Sequence, residues 1–177
     1  PCAARGVLEA ILWKPQIVWR VTRIDVLKPT RWGSVRRNEI ASVISTDNVK
    51  TAMNRGKGTL GLYADEDRQQ RAALLLREVD YLIHARFELT EQADPGDTLA
   101  KYAAMFRRRA EKGQCFNQPY FGCREFSCNF RFIEHPEKEE KQPIKESPEL
   151  GFMLYDMDFT NPDNPQAMFY RPQMKLG

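Results

Sequence analysis

"DYLIHARFEL" (residues 80–89) alternates apolar and polar side chains along its length. In an extended chain, successive side chains point to opposite faces. One face would carry Tyr81, Ile83, Ala85, Phe87 and Leu89, and the other Leu82, His84, Arg86 and Glu88. This period of two predicts a β-strand with one face on a core, and the neighbouring elements decide what packs against that face.

The chain before this strand predicts a helix followed by a strand. Apolar residues recur at i, i+3, i+4 and i+7, the spacing of an amphipathic helix, at Ala4, Val7, Leu8 and Ile11. Pro15 ends the helix because proline disfavours helical geometry in the residue before it. "QIVWRVTRIDVL" (16–27) is rich in β-branched and aromatic residues, which is typical of a strand. Its apolar side changes near Thr22, which predicts a bulge.

The chain after it predicts a turn, a helix and another strand. "ADPGD" (93–97) is turn-like, and Asp97 or Thr98 can cap the helix in "DTLAKYAAMFRRRAEKG" (97–113). The apolar stripe of that helix is Leu99, Tyr102, Ala103, Phe106 and Ala110. "CREFSCNFRF" (123–132) alternates again, and its predicted inward residues are Phe126, Cys128, Phe130 and Phe132.

The remaining segments have weaker patterns. Residues 31–61 have the composition of a loop, and 71–79 read as part of the central strand, as its hairpin partner or as a short helix. Two apolar stretches around "TNPDNP" predict a closing β-hairpin. We therefore expect a domain at 1–135, a charged, proline-rich linker at 136–150 and a hairpin appendage at 151–177.

With one further strand before Pro1, the order becomes βαββαβ, the ferredoxin-like or RRM-type plan of an α+β protein. We expect that strand to precede the present chain, because the sequence opens directly on a helical pattern. This plan packs both helices on one face of an antiparallel sheet and leaves the other face open, where such domains take RNA.

Composition narrows the class of protein. The 177 residues are 42% hydrophobic and 29% charged, as in globular rather than disordered proteins, and no apolar run approaches the ~20 residues that cross a bilayer. The four cysteines lack the spacing of a zinc site, so we expect no metal or other cofactor and a reduced, cytoplasmic protein. The net charge of only +3 means that RNA binding must depend on clustered cations.

Two such clusters stand out. Arg36 and Arg37 lie in the predicted loop, while Arg108, Lys112 and Arg124 lie among Phe116, Tyr120 and Phe121. Basic and aromatic side chains together can hold phosphates and stack unpaired bases. A charged run on a helix is also typical of a solvated surface, so the pattern leaves both interpretations open.

Longer strings carry a specific resemblance. "AARGVLEAILWKP", "VRRNEI", "RQQRA", "VDYLIHARFEL", "FRRRAEKGQCFNQPYFGCREF" and "LGFMLYDMDF" resemble, in order and spacing, the Cas-five subunit family of subtype I-C CRISPR systems. The resemblance implies a ferredoxin-like domain with a small sheet appendage. It also implies metal-independent cleavage of precursor CRISPR RNA within its repeats. The implied partners are the RNA repeat and 5′ handle, the backbone and large subunits of the surveillance complex, and target DNA through that complex.

The resemblance also points to site residues. It places a lysine–histidine pair at Lys101 and Tyr102, and a tyrosine or histidine at Leu12, two residues before Lys14, which we add to the predicted RNA contacts. A phenol, with a pKa of ~10, is a poor base at neutral pH unless a cation such as Lys101 lowers that pKa. The other titratable candidates are His84 and, near the linker, His135. A lone strand histidine such as His84 is more often structural.

These departures leave three hypotheses open. The first is an endoribonuclease that stays on the 5′ handle. The second is a structural RNA-binding subunit of the same complex that has lost cleavage. The third is an unrelated RRM-like domain that binds RNA.

Overall fold

The computed structural model describes residues 1–58, 60–146 and 148–175. In this part of the chain, three α-helices combine with three two-stranded antiparallel sheets, so the fold is mixed α/β. The elements are α1 (Cys2–Ile11), β1 (Ile17–Val26), β2 (Trp32–Ile40), α2 (Thr46–Arg55), β3 (Arg68–Leu76), β4 (Tyr81–Leu89), α3 (Leu99–Glu111), β5 (Met153–Asp158) and β6 (Gln166–Tyr170). None of the described helices is long and apolar enough to cross a membrane.

The chain divides into two compact units. The larger unit joins Pro1–Pro29 to Asp80–Gly177, and the smaller unit is Thr30–Val79. The smaller unit pairs β2 with β3 from Trp32–Leu76 to Ile40–Arg68, with α2 between them in sequence. None of its described residues is buried, so it has no apolar core of its own within that part of the chain.

The β1–β4 pair is the sheet of the larger unit. Its antiparallel register runs from Ile17 opposite Leu89 to Val26 opposite Tyr81 and shifts between Val21 and Arg23. An extra residue on one strand is the definition of a bulge. The predicted strands and the predicted bulge near Thr22 are therefore confirmed.

The core of this unit lies where both helices cover one face of the sheet. The Trp19 ring lies 5.0 Å from Phe87 on β4 and 4.8 Å from Phe106 on α3, centroid to centroid. Its indole N–H donates to the Leu12 carbonyl at 2.8 Å, just after α1 ends. One buried side chain therefore ties two strands and two helices together.

The two helices match the predictions only partly. In α1, all four predicted apolar positions are buried. In α3, Tyr102 and Ala110 are buried, but Leu99 is 50% exposed and Ala103 is also exposed. The predicted stripe was wrong at those two positions, which face solvent.

The predicted C-terminal hairpin is confirmed as β5 paired with β6. A bidentate ion pair joins it to α1: both terminal nitrogens of Arg5 donate to the Asp156 carboxylate. The distance from Nη2 to Oδ1 is 2.6 Å. Hydrogen bonding to Arg5 lowers the pKa of the Asp156 carboxyl below its usual value, so the pair stays charged at neutral pH.

Two predictions for residues 31–79 were wrong. The segment 31–61 was expected to be a loop, but it contains β2 and α2. Residues 71–79 were expected to belong to the central strand or to pair with it, but β3 pairs with β2 instead. Both errors have one cause: an element that buries neither face has no apolar periodicity to reveal it.

Residues 123–132 form no regular strand. Their alternation does appear in the burial pattern, since Phe126, Cys128, Phe130 and Phe132 are all half-buried while the residues between them are exposed. The backbone groups bond locally instead of to a neighbouring strand, as in the Phe126 N–H to the Cys123 carbonyl at 2.9 Å. A single bridge, Tyr120 with Ser127, is the only ladder contact described there.

The charged segment after residue 135 begins with a 3-10 turn, Pro136–Lys138. Lys141 Nζ contacts Asp80 Oδ2 at 2.6 Å, and the Ile144 N–H donates to the Val26 carbonyl at 2.9 Å. These contacts fasten part of the segment to the ends of β1 and β4. The division of the chain at residues 135 and 151 stays a prediction.

The role of Trp19 gives a stability prediction. Trp19→Phe should lower the free energy of unfolding by ~1–3 kcal/mol, because it leaves the buried Leu12 carbonyl without a donor. Trp13→Phe is the matched control: Trp13 is 63% exposed, and surface substitutions usually stay within ~0.5 kcal/mol. Urea titration of the two variants measures the difference, and equal losses would contradict this account of the core.

Candidate active site

A solvent-open depression of about 200 Å³ lies at the start of α3. Three segments surround it: the loop after α1, the turn before α3, and the first two turns of α3. Its lining residues are Lys14, Gln16, Asp94, Asp97, Lys101, Tyr102 and Met105. The predicted catalytic pair and the predicted RNA contact Lys14 therefore meet at one place.

Hydrogen bonds explain why these segments meet. The Thr90 hydroxyl, just beyond β4, donates to the Pro15 carbonyl at 2.6 Å, and its N–H donates to the Gln16 carbonyl at 2.9 Å. On the other side, the Thr98 hydroxyl accepts the Lys101 N–H at 3.2 Å and begins α3. Thr98, one of the two predicted caps, is the N-cap.

Asp97 is the centre of the polar contacts. Its carboxylate accepts from Lys101 Nζ at 2.7 Å and from the Asp94 N–H at 3.1 Å. Its side chain is only 4% exposed. The bond from Lys101 lowers the pKa of Asp97, and the bond to Asp97 raises the pKa of Lys101. At neutral pH the pair is therefore a carboxylate beside an ammonium.

Tyr102 differs from the expectation. Its side chain is buried, and the Lys101 ammonium lies 5.5 Å from the centre of its ring. Burial raises the pKa of its phenol first, the Asp97 carboxylate raises it further, and Lys101 only partly offsets both. Lys101 does lower the pKa of this phenol, as the hypothesis requires, but the larger opposing effects leave that pKa above its usual value. A phenol that keeps its proton is a donor or a relay, not a free base.

Leu12 packs against Tyr102. With Ile17, these two residues form a buried apolar cluster supported by Phe87 and Phe106. Leu12 and Tyr102, the two positions at which the resemblance implies titratable residues of other types, are thus neighbours in the core. Leu12 brings no titratable group to this side of the depression.

His84 lies elsewhere on the sheet. Its Nε2 atom is 3.0 Å from Asp25 Oδ2, and this buried carboxylate also bonds to Arg23. Burial alone would raise the pKa of Asp25, but the bonds from Arg23 and His84 together lower it. Thr90 comes six positions after His84, which is roughly 20 Å along an extended chain. His84 is therefore not a neighbour of Lys101.

The other predicted RNA contacts are dispersed. Arg108 on α3 and Lys112 at its C-cap are exposed, roughly 10 and 16 Å from Lys101 along the helix axis at 1.5 Å per residue. Arg124 is exposed in the turn that follows. Arg36 and Arg37 are on β2, in the smaller unit, where Arg36 is exposed and Arg37 is half-buried.

Asp97 is the residue that the sequence analysis did not assign to the site. It was considered only as a helix cap, although its i, i+4 spacing to Lys101 is the spacing at which a carboxylate and an ammonium pair on a helix. In the part of the chain that is described, no three His, Cys, Asp or Glu side chains come together as a metal site would require.

Comparisons with known proteins agree on one family. The family described as CRISPR-associated protein (Cas_Cas5), in its Cas5d form, matches residues 1–177. A relative from Mannheimia succiniciproducens, named CRISPR pre-crRNA endoribonuclease Cas5d, is 44% identical and covers 100% of this chain and 80% of its own length. A relative from Thermus thermophilus with the same name is 36% identical and covers 97% of this chain and 67% of its own.

Two solved structures share the fold. A crystal structure of a CRISPR-associated protein superimposes with a TM-score of 0.68 at 21% identity, covering 100% of this chain and 77% of that one. A functionally uncharacterized protein from Streptococcus mutans superimposes with a TM-score of 0.61 at 19% identity, covering 99% and 75%. On the family match and the two curated relatives together, this chain belongs to the Cas5d-type Cas5 family of CRISPR-associated proteins.

Proposed function

We propose that this chain cuts precursor CRISPR RNA within its repeats without a metal ion and then holds the 5′ handle of the product. The observation that carries the proposal is Lys101, paired with Asp97 and beside Tyr102 in an open depression. It stands in a chain whose two relatives are named CRISPR pre-crRNA endoribonucleases.

The chemistry follows from the substrate. The 2′-hydroxyl next to the scissile phosphate attacks phosphorus, and the 5′-oxygen leaves, so that negative charge builds on the phosphorane oxygens. A fixed cation stabilises such charge best where water is partly excluded. The Lys101 side chain is 54% exposed on one side and held by nearly buried Asp97 on the other, so a phosphate can reach its ammonium.

Lys14 and the cations of α3 support the RNA path. Lys14 lines the same depression as Lys101, and Arg108 and Lys112 continue along the helix toward Arg124. Phosphate contacts of this kind provide affinity and register without reading sequence. Arg36 and Arg37, on β2 of the smaller unit, are also proposed to contact RNA phosphates.

The wider assignment rests on the family. The larger unit is proposed to be ferredoxin-like, with 1–135 as the processing domain, 136–150 as the linker and 151–177 as the appendage. Two helices on one face of β1 and β4 support that plan. The proposed partners are the CRISPR RNA, the backbone and large subunits of the surveillance complex, and target DNA through that complex, in the cytoplasm.

One observation favours a second candidate function. Leu12 is buried and cannot titrate, and the pKa of Tyr102 is raised rather than lowered. A chain that had kept RNA binding and lost cleavage would have such a site. The second candidate is therefore a structural subunit that binds the 5′ handle without cutting its precursor.

A cleavage assay separates the two functions. The protein, in excess over repeat RNA and in EDTA, should give one product ending in a 2′,3′-cyclic phosphate and one beginning with a 5′-hydroxyl, because the 2′-oxygen is the nucleophile. A matched RNA with 2′-deoxyribose only at the scissile nucleotide should bind equally and remain uncut. Tight binding with no cleavage of either RNA would support the structural subunit instead.

The RNA path predicts a change in salt dependence. Replacing Arg108 and Lys112 together by Ala should flatten the slope of log affinity against log salt by ~1.4, since each lost contact to single-stranded RNA contributes ~0.7. Arg107→Ala is the control from the same helix, because Arg107 is already paired with Glu134 at 2.5 Å. Filter binding at several salt concentrations measures the slopes, and an unchanged slope in the double variant would make this helix a merely solvated surface.

A further inference from the structure

The polar contacts of Asp97 suggest more than a structural role. One carboxylate, only 4% exposed, meets the Lys101 ammonium at 2.7 Å and the Asp94 N–H at 3.1 Å, and Tyr102 lines the same depression. The start of α3 does not depend on this side chain, because Thr98 is the N-cap and accepts the Lys101 N–H. The contact of Asp97 with Lys101, in the depression that Tyr102 also lines, is therefore available for chemistry.

The proposed reaction must move two protons. The 2′-hydroxyl loses one proton as it attacks, and the 5′-oxygen gains one as it leaves. Leu12 cannot accept a proton, and His84 lies roughly 20 Å away along β4. The titratable and charged groups that face the depression are Lys14 from the loop after α1, Asp94 and Asp97 from the turn, and Lys101 and Tyr102 from α3.

We propose that Asp97 closes a proton circuit between Tyr102 and Lys101, an inference that rests on the proposed function. As the bond from the 2′-oxygen to phosphorus forms, the 2′-hydroxyl proton passes to the Tyr102 oxygen while the phenol proton passes to Asp97. As the bond from phosphorus to the 5′-oxygen breaks, that oxygen takes a proton from the Lys101 ammonium. The Asp97 carboxylic acid then returns its proton to the neighbouring Lys101 amine.

Every proton in this circuit is accounted for. One proton moves in effect from the 2′-oxygen to the 5′-oxygen, and all three side chains end as they began. No metal, water or cofactor is consumed. Asp97 touches no RNA atom in this scheme and acts through Tyr102 and Lys101, so it is a positioning residue that also holds the proton in transit.

The resting protonation states fit the circuit. The bond from Lys101 lowers the pKa of Asp97, which is therefore a carboxylate ready to accept. Burial and Asp97 raise the pKa of Tyr102, whose phenol keeps a proton to pass on. Asp97 raises the pKa of Lys101, which therefore begins as an ammonium. Each group starts in the state that its step requires.

The test is single-turnover cleavage by Asp97→Asn between pH 5 and 8 in EDTA. The wild-type rate should be almost independent of pH there, since Asp97 titrates below this range and Lys101 above it. The variant should be ~10²–10³-fold slower at pH 7. Its rate should also rise about tenfold per pH unit, because hydroxide replaces the lost acceptor. Loss of a purely structural contact would lower the rate equally at every pH.

Two further variants make the result decisive. Glu91→Gln removes a carboxylate from an exposed position of the same turn, outside the lining of the depression, and should keep the wild-type profile. Asp97→Glu keeps a carboxylate and should restore a flat profile even if the rate is lower, which excludes misfolding as the cause. If wild type cleaves and Asp97→Asn behaves like Glu91→Gln, the circuit is wrong and the proposed function stands. If wild type cleaves neither in EDTA nor with divalent metal, the proposed function fails and the circuit with it.

A modified RNA tests separately the proton transfer from Lys101 to the leaving 5′-oxygen. In an RNA whose 5′-bridging oxygen is replaced by sulfur, the leaving group departs as a thiolate. This departure needs no acid. Lys101→Ala should regain at least about tenfold in rate on this RNA, relative to the ordinary one, because its missing proton is no longer required. Asp97→Asn should regain much less, because its defect is at the 2′-hydroxyl. Equal recovery in both variants would overturn the assignment of the two ends of the circuit.

Discussion

The buried indole of Trp19 is the constraint on which the larger unit depends. It fills the space between β4 and α3 through Phe87 and Phe106, and its N–H holds the carbonyl of Leu12 where α1 ends. Because α1 must stop there, the loop that follows passes the first turn of α3 with Lys14 directed into the depression. The packing of the core thus determines where the cations of the site lie.

The same core changes the chemistry of the site. Tyr102 is buried against Leu12, and burial and the Asp97 carboxylate raise the pKa of its phenol where a base would need it lowered. Asp97 is kept ionised because the Lys101 ammonium is its hydrogen-bond partner. In the proposed circuit, the phenol, the carboxylate and the ammonium pass protons together, whereas none of the three is an effective base alone.

Sequence reasoning found what apolar periodicity encodes. It predicted α1, β1 with its bulge, and β4 from their apolar patterns. The cap at Thr98 followed from the residue types that begin helices, and the closing hairpin from the turn residues between two apolar stretches. It missed β2 and α2, because the smaller unit has no buried residue in its described part and leaves no periodic pattern. It named Lys101 and Lys14, which line one depression, but did not assign Asp97, whose contacts depend on which neighbours it meets in space.

The central claim is that the scissile phosphate binds between Lys14 and Lys101, not at His84. The direct measurement is photocrosslinking with an uncleavable repeat RNA that carries 2′-deoxyribose at the cut site and 4-thiouridine beside it. Mass spectrometry then identifies the crosslinked residues. The account predicts crosslinks to the lining of the depression, at Gln16, Tyr102 or Met105, and their loss when Lys101 is replaced by Ala. Crosslinks confined to the part of β4 around His84, unaffected by that replacement, would contradict it.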